Sequence, residues 1–249
     1  MLRKLLICGL LAGLCGGLTA AVFARVAGEP SVGRAIAFEH ARAAATGAPD
    51  EAPLVSRTLQ ESAGLLTSSI VYGVALGGLF ALAFVVVYGR VGRASPRRTG
   101  LLLALAAFVV LYLVPFVKYP PNPPSVGDPD TITRRTAVYG IMILISLLSA
   151  ISAVRLRAVV AARRPHAAGM TAAVAYLAVV VVAGLMLPSV DEVPRAFPAT
   201  TLFRFREASL GMQAMLWATI GVIFAGTAER VMTGQSIVPR PRGRSSLST

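Results

Sequence analysis

Long apolar runs alternate with short polar segments along this chain, and the alternation predicts its fold. Six runs are long enough to cross a hydrocarbon core of about 30 Å, which needs roughly 20 apolar residues per helix. They occupy about residues 5–24, 64–88, 100–117, 137–154, 170–187 and 209–228. Lipid offers no partner for open backbone groups, and the runs are too long for barrel strands. The pattern therefore predicts an all-α polytopic membrane protein, a bundle of about six transmembrane helices with structured outer loops.

Composition agrees with this interpretation. Apolar residues make up 55% of the 249 residues, charged residues only 14%, and the mean hydropathy is +0.71. A soluble domain has about 25% charged residues, so this chain is built to face membrane lipid. We expect residues 1–233 to form one transmembrane domain. The last residues, 234–249, are rich in Pro, Arg and Ser and are expected to be a disordered cytoplasmic tail.

Basic residues are divided unevenly between the two sets of connections, which predicts the orientation. With a cytoplasmic N-terminus, the inner segments hold 14 of the 24 basic residues and a single acid, Glu229. The outer segments then hold ten basic and ten acidic residues, so the whole net charge of +13 lies inside. We therefore predict that both termini are cytoplasmic. The high charge is a topology signal, and no nucleic-acid partner is expected.

Glycines recur at four-residue spacing in the first two spans. Gly9, Gly13 and Gly17 share one face of the first span, and Gly73 and Gly77 repeat the spacing in the second. Small residues at this spacing let two membrane helices approach closely. We expect these glycines to lie in helix–helix contacts.

The outer connections carry two local signals. The stretch AIAFEHARAAA, which contains Glu39, predicts a short helix lying on the membrane surface. Pro115 falls near the outer end of the third span, where a kink or a stop costs little.

One polar segment differs from the others, Lys118 to Arg135, with the sequence KYPPNPPSVGDPDTITRR. It holds five of the 16 prolines, and four of them fall within five positions. Proline fixes φ and lacks a backbone N–H, so these four clustered prolines cannot be helix or central strand and are expected to form a stiff turn. We expect this proline-rich segment to be ordered and to pack against the outer loop before the last span.

Complementary charges motivate that expected contact. The pairs that we predict are Lys118, Arg134 and Arg135 with Asp191 and Glu192, and Arg204 and Arg206 with Asp128 and Asp130. The residues that we expect to form the outer-loop motif are Lys118, Asn122, Arg135, Asp191, Glu192, Arg204 and Arg206.

The run FVKYPPNPPSVGDPDTITRRTAVY resembles the signature of the predicted cobalt transporter subunits of the CbtA type. A second run, LPSVDEVPRAFPATTLFRFREASLGMQAMLWATIG from Leu187 to Gly221, is similar to the same family. Weaker similarities lie at AFEHA near Glu39 and from Val55 to Gly78. The resemblance covers most of the chain. It implies a multi-spanning inner-membrane protein for cobalt uptake, which works beside a small single-span partner.

Candidate chemistry is sparse. The chain has no phosphate loop, no HExxH, no serine elbow and no cysteine pair at zinc spacing, so we expect no enzyme activity and no resident cofactor. Cobalt(II), as a transported ion, accepts oxygen and imidazole ligands. The outer residues that offer them, and that we take as candidate metal ligands, are Glu39, His40, Asp128 and Asp130. The alternative is that the outer acids pair with the outer basic residues, which equal them in number.

Two other functions remain open at this point. The chain can be a non-transporting assembly subunit that stabilises a partner transporter, or an intramembrane enzyme. The enzyme would need a reactive polar group inside the spans, where the sequence has only scattered Ser, Thr, Met and Gln213. A transporter needs a polar path between the helices, and an assembly subunit does not. If metal is captured at the outer side, two histidines in the whole chain are few, so a partner with histidines is expected.

Overall fold

The structure, a computed structural model, describes residues 1–47, 56–92, 94–124 and 126–234. Within these ranges the chain is largely helical and contains no strand. Six helices are long and apolar enough to cross a membrane: α1 (Leu2–Thr46), α2 (Arg57–Val87), α3 (Pro96–Lys118), α4 (Ile132–Ala161), α5 (Ala168–Met186) and α6 (Ala199–Met232). The prediction of an all-α protein with about six spanning helices is confirmed. The predicted tail, apart from Gly234, lies outside the described residues.

The bundle has two distinct ends. We call the end that carries the proline-rich segment the loop end, and the opposite end, where α1 begins and α6 finishes, the terminal end. Which end faces the cytoplasm stays a prediction from the arginine distribution.

Helix α1 is much longer than the predicted span. It runs without a break for 45 residues, about 68 Å at 1.5 Å per residue, so its second half projects beyond a membrane at the loop end. The predicted helix around Glu39 is present, as Glu29–Thr46, but it continues the first span and is not a short helix of its own. A π-helical turn at Ala24–Gly28 precedes Pro30, and the wider turn lets the helix continue past a residue that lacks an N–H donor. Hydropathy detects only the apolar half of such a helix.

The glycine faces of α1 and α2 pack directly on each other, as predicted. A Cβ atom at Gly13 would overlap the carbonyl oxygen of Gly73, and one at Gly9 or Gly17 would overlap the backbone of α2 in the same way. The same is true in reverse for Gly77, whose missing Cβ would fall on the Gly9 carbonyl. The two backbones are therefore in contact along most of the span.

Helix α6 completes this bundle, and α3 packs on its other side. Phe84 and Phe224 have their rings 5.0 Å apart and are fully buried at the centre of the core between α2 and α6. The hydroxyls of Thr19 and Thr219 are hydrogen bonded at 3.0 Å between α1 and α6. Ala104 of α3 lies against Gly221, where a Cβ would meet it at 2.6 Å.

Helices α4 and α5 form a pair that packs mainly on each other and reaches the bundle through the loop-end half of α3, residues 109–118. Met142 of α4 and Val180 of α5 are buried in their contact, together with Tyr119 at the end of α3. The interface between α3, α4 and α5 is therefore separate from the glycine-packed bundle. It lies directly beneath the proline-rich segment.

Candidate functional site

A cleft of about 530 Å³ opens at the loop end, between the proline-rich segment, the first turns of α4 and the outer loop before α6. Its floor carries Tyr112 of α3 and Tyr139 of α4, and its walls carry charged and amide side chains. The polar residues that line it are Tyr112, Tyr119, Asn122, Arg135, Thr136, Tyr139, Asp191 and Arg206. We call this the outer cleft.

The proline-rich segment is held at both of its ends. Tyr119 terminates α3, is buried, and donates its hydroxyl to the Pro188 carbonyl at 2.7 Å. Burial raises the pKa of Tyr119, which the nearby charge of Arg134 partly offsets, so the phenol is neutral and can donate. Val126 at the other end is buried in a small cluster with Ala35 of α1 and Phe197.

The segment then turns sharply into α4. Gly127 has φ 122°, a conformation that side chains rarely adopt. Asp128 follows, and its Oδ1 accepts from the Asp130 amide at 3.0 Å while its carbonyl accepts from Thr131 Oγ at 2.8 Å. A short 3₁₀ turn, Pro129–Thr131, leads into the helix. These local bonds make the segment an ordered wall of the outer cleft.

Glu192 joins the two outer loops. Its Oε2 accepts from the Asp128 amide at 3.2 Å and lies 3.4 Å from Arg135 Nε. The predicted contact between the proline-rich segment and the last outer loop is thus confirmed, and so is the pairing of Arg135 with Glu192. Arg135 also donates to the Asp128 carbonyl at 3.4 Å, and its guanidinium packs on Gly127.

The partners predicted for the arginines of α6 are wrong. Arg206 donates to Asn122 Oδ1 at 3.0 Å and to the Pro121 carbonyl at 3.3 Å, rather than to an aspartate. Arg204 pairs with Glu207 on its own helix at 3.5 Å and is largely exposed. Residues two apart on a helix point about 200° apart, so only one of the two arginines can face the cleft.

The comparison with known proteins agrees with this architecture. A family model described as "Probable cobalt transporter subunit (CbtA)" matches residues 2–229. The chain belongs to the CbtA family. No curated protein and no solved structure matches it. The match extends over all six helices and both outer loops of the cleft, so the CbtA assignment rests on the whole membrane domain.

Two of the four candidate metal ligands of this CbtA protein, Asp128 and Asp130, belong to the wall of the outer cleft just described, and the other two do not. Glu39 and His40 are exposed on the projecting half of α1, and Asp128 and Asp130 are exposed in the turn before α4. Only the two aspartates are brought together, by the bond from the Asp130 amide. In the part of the chain that the structure describes, no group of three or more His, Cys, Asp or Glu side chains is arranged to hold a metal ion.

Several of the outer acids are engaged by arginine. Arg57 is bonded to Glu29, Arg25 lies 3.9 Å from Glu61, and the pairs of Glu192 and Glu207 are described above. Lys118 of the predicted outer-loop motif has its ammonium 5.5 Å from the centre of the Tyr119 ring. Asp191 lines the outer cleft and is exposed.

The tyrosines of the cleft were missed by sequence reasoning. Tyr112, Tyr119 and Tyr139 fall at helix ends or inside apolar runs, where tyrosine is ordinary in a membrane protein. The prediction selected charged residues instead, which lie at the rim of the outer cleft. The grouping of the three tyrosines depends on how α3 and α4 cross. That crossing cannot be predicted from the spacing of the tyrosines along the chain.

Proposed function

We propose that the chain is the ion-conducting membrane subunit of a cobalt(II) uptake transporter in a bacterial inner membrane, with the outer cleft as its entrance. Membership of the CbtA family supports cobalt transport as the process. We infer the entrance from the position of the cleft. Its floor residues, Tyr112 and Tyr139, lie above the interface of α3 and α4. The topology that we propose places both termini in the cytoplasm and the loop end outside.

Two arginines line the outer cleft, but both have partners, so the lining suits a hydrated cation. Arg135 faces the carboxylate of Glu192, and Arg206 is bonded to a carbonyl and an amide oxygen. The lining offers oxygen atoms from the tyrosine hydroxyls, Asn122 and Asp191. Hydrated divalent ions accept such oxygens as inner-sphere or outer-sphere ligands. Apart from the Asp191 carboxylate these oxygens are neutral, and neutral oxygens hold such an ion weakly, as passage requires.

We propose further that a small single-span partner with histidines completes metal capture. A transporter subunit works with other subunits, and cobalt(II) favours imidazole ligands. This chain has only His40 and His166. Four residues at the loop end would then bind the ion first and weakly, before it passes to the partner's imidazoles or into the outer cleft. We call this group the mouth: Glu39, His40, Asp128 and Asp130.

Uptake of radiolabelled cobalt in cells with and without the chain tests the proposal. A bulky substitution in the cleft, Thr136→Trp, should abolish uptake while the abundance of the chain and its partner stays normal. Thr171→Trp, on the exposed start of α5 at the terminal end, is the matched control and should leave uptake unchanged.

Two results separate this function from its alternative. If Thr136→Trp transports normally, and removal of the chain lowers both uptake and partner abundance, the chain is an assembly subunit. Equal cobalt uptake in cells with and without the chain would refute a role in cobalt transport altogether.

A further inference from the structure

A groove separates the first half of α3 from the pair formed by α4 and α5. Helix α4 contacts α3 over residues 109–118, whereas residues 96–108 of α3 make few contacts with α4 or α5. The groove between them has a volume of about 340 Å³. Leu102 and Leu105 of its α3 wall are exposed, so it opens to the surrounding lipid. We call it the terminal groove, because it lies toward the terminal end.

The terminal groove has the size of a hydrocarbon chain rather than of a helix. It follows α3 from Leu102 to Val110, about 12 Å at 1.5 Å per residue. A helix with its side chains is about 10–12 Å across, so 12 Å of helix occupies on the order of 1,000 Å³, several times the volume of the groove. The lining is aliphatic apart from Tyr176 at the inner end and Arg157 at the outer end. An extended acyl chain fits this space, and a transmembrane helix of a partner does not.

Basic side chains lie where the terminal groove reaches the membrane surface. Arg157 lines the groove about one turn before α4 ends at Ala161. Arg98 is in the first turn of α3, and it shares one helical face with the groove residues Leu102, Leu105 and Val109, at spacings of four, three and four residues. Both arginines are exposed. Long basic side chains near helix ends reach the headgroup level while their stems cover apolar surface.

Charge complementarity indicates which lipid the groove takes. Within the part of the chain that the structure describes, neither Arg98 nor Arg157 forms an ion pair with a carboxylate, and no Asp or Glu lines the groove. Basic pockets between membrane helices attract anionic headgroups. A guanidinium also binds phosphate oxygens by two parallel hydrogen bonds. A headgroup with a net negative charge is therefore favoured over a zwitterionic one.

We propose that the terminal groove, together with Arg98 and Arg157, binds one anionic phospholipid of the leaflet at the terminal end. One acyl chain fills the groove as far as Tyr176, and the phosphate binds between the two guanidinium groups. The lipid joins the first half of α3 to the α4 and α5 pair, where the protein itself makes few contacts. The site is independent of the transport function, and it holds whichever end faces the cytoplasm.

Native mass spectrometry of the full chain, purified in a neutral detergent, tests the site with added phosphatidylglycerol or phosphatidylcholine. The parent should retain one phosphatidylglycerol, with an affinity at least about tenfold above that for phosphatidylcholine. Arg98→Gln and Arg157→Gln should each lower the affinity for phosphatidylglycerol about fivefold, the factor expected for one basic residue beside an anionic headgroup.

Two matched pairs separate a defined site from general attraction. Arg155→Gln is the control for Arg157→Gln, because Arg155 is exposed at the same end of α4 but points about 200° away from Arg157. Ala173→Trp should abolish retention of the lipid by filling the groove, whose α5 wall Ala173 forms. Its control is Ala178→Trp, at an exposed position of α5 in a separate apolar groove without a lining arginine. Both controls should bind phosphatidylglycerol as the parent does.

Thermal unfolding gives a second readout. A ligand that binds only the folded state stabilises it, so phosphatidylglycerol should raise the melting temperature of the parent and of Arg155→Gln more than phosphatidylcholine does. The difference between the two lipids should disappear in Ala173→Trp and shrink in Arg157→Gln. If Ala173→Trp does not fold, Ala106→Trp on the exposed α3 wall of the groove replaces it.

Three results would overturn the proposal. The first is equal affinity of the parent for the two lipids. The second is an equal loss of affinity in Arg155→Gln and Arg157→Gln, since basic charge would then act without a defined site. The third is normal retention of phosphatidylglycerol when the groove is filled by tryptophan, which would place the acyl chain elsewhere on the protein.

Discussion

Arg206 on α6 donates to the side-chain oxygen of Asn122 at 3.0 Å and to the carbonyl of Pro121 at 3.3 Å. The prolines around Asn122 have no backbone N–H, so the carbonyls of this stretch need donors from elsewhere. A guanidinium, with five donors in a rigid fork, can satisfy two acceptors at once. The contact therefore fixes the proline-rich segment to the last helix and holds one wall of the outer cleft.

Loss of this contact should destabilise the protein. Arg206→Ala is expected to lower the free energy of unfolding by about 1–3 kcal/mol, because two partly buried acceptors lose a charged donor. Arg206→Lys should recover only part of it, since an ammonium cannot reproduce the fork. Denaturant unfolding of the purified protein in detergent measures both.

The control is Arg204→Ala, two residues away. Arg204 is largely exposed and pairs with Glu207 at 3.5 Å, so its loss should change stability by less than about 0.5 kcal/mol. Equal effects of the two alanine substitutions would show that Arg206 does not anchor the segment.

The glycine contact between α1 and α2 leaves no room for a side chain. Gly13→Ala would place its Cβ on the Gly73 carbonyl, so the helices must separate, at an expected cost of about 1–3 kcal/mol. Gly140→Ala on α4, where no atom lies within 4 Å of the added Cβ, is the control and should be neutral. Thermal unfolding and abundance in the membrane report the difference. A neutral Gly13→Ala would contradict the close packing.

Gly127 combines a positive φ with a neighbour on the side where a Cβ would stand. Gly127→Ala should strain the backbone by about 1–3 kcal/mol and push the Arg135 guanidinium away from Glu192. We expect faster hydrogen exchange in the proline-rich segment together with a lower melting temperature. Gly33→Ala, which has free space around its Cβ, should change neither. Unaltered exchange in Gly127→Ala would show that this turn does not order the segment.

Sequence patterns predicted the membrane architecture well, and the reason is physical. An apolar run of about 20 residues has few stable conformations in lipid. The six helices can therefore be predicted directly from the six runs. The spacing of Gly9, Gly13 and Gly17 likewise predicted a close helix contact, because a glycine face in lipid gains most by backbone packing. Complementary charge predicted the pairing of Arg135 with Glu192, since both lie at the ends of ordered segments.

The features that were missed depend on tertiary geometry. The length of α1 was missed because its second half is polar, and helices in water are stabilised by packing that hydropathy does not detect. The partner of Arg206 is an amide, and charge matching cannot indicate a neutral acceptor. The bond from Ser146 to the Val110 carbonyl needs a π-helical turn, which Pro115 permits but does not specify.

The topology prediction is tested with fusions. A reporter that is active only in the cytoplasm should be active when fused after Thr249, because the basic residues concentrate on the connections at the terminal end. The same reporter fused after Gly127 in a truncated chain should be inactive, since that end is predicted to lie outside. The reversed pattern would contradict a cytoplasmic location of the termini.

Neutralising an acid at the mouth should separate metal capture from structural pairing. Asp128→Asn removes the charge, yet its Oδ1 can still accept the bond from the Asp130 amide. The turn before α4 should therefore survive, and protein abundance should stay normal. If the carboxylate meets the ion, cobalt uptake should fall severalfold at low external cobalt and recover as cobalt is raised, because a weak encounter site affects apparent affinity first.

Glu39→Gln on the projecting half of α1 applies the same test to the other side of the mouth. Glu39 is exposed, so the substitution should leave stability nearly unchanged, within about 0.5 kcal/mol. A loss of uptake at normal abundance would then reflect the missing charge. Glu192→Gln is the contrasting variant, since Glu192 is paired with Arg135 at 3.4 Å and its loss should reduce abundance together with uptake. If uptake and abundance both stay normal in the neutral variants of Glu39, Asp128 and Asp130 and in His40→Ala, the mouth is not part of the transport path. The outer cleft would then be the first contact of the ion.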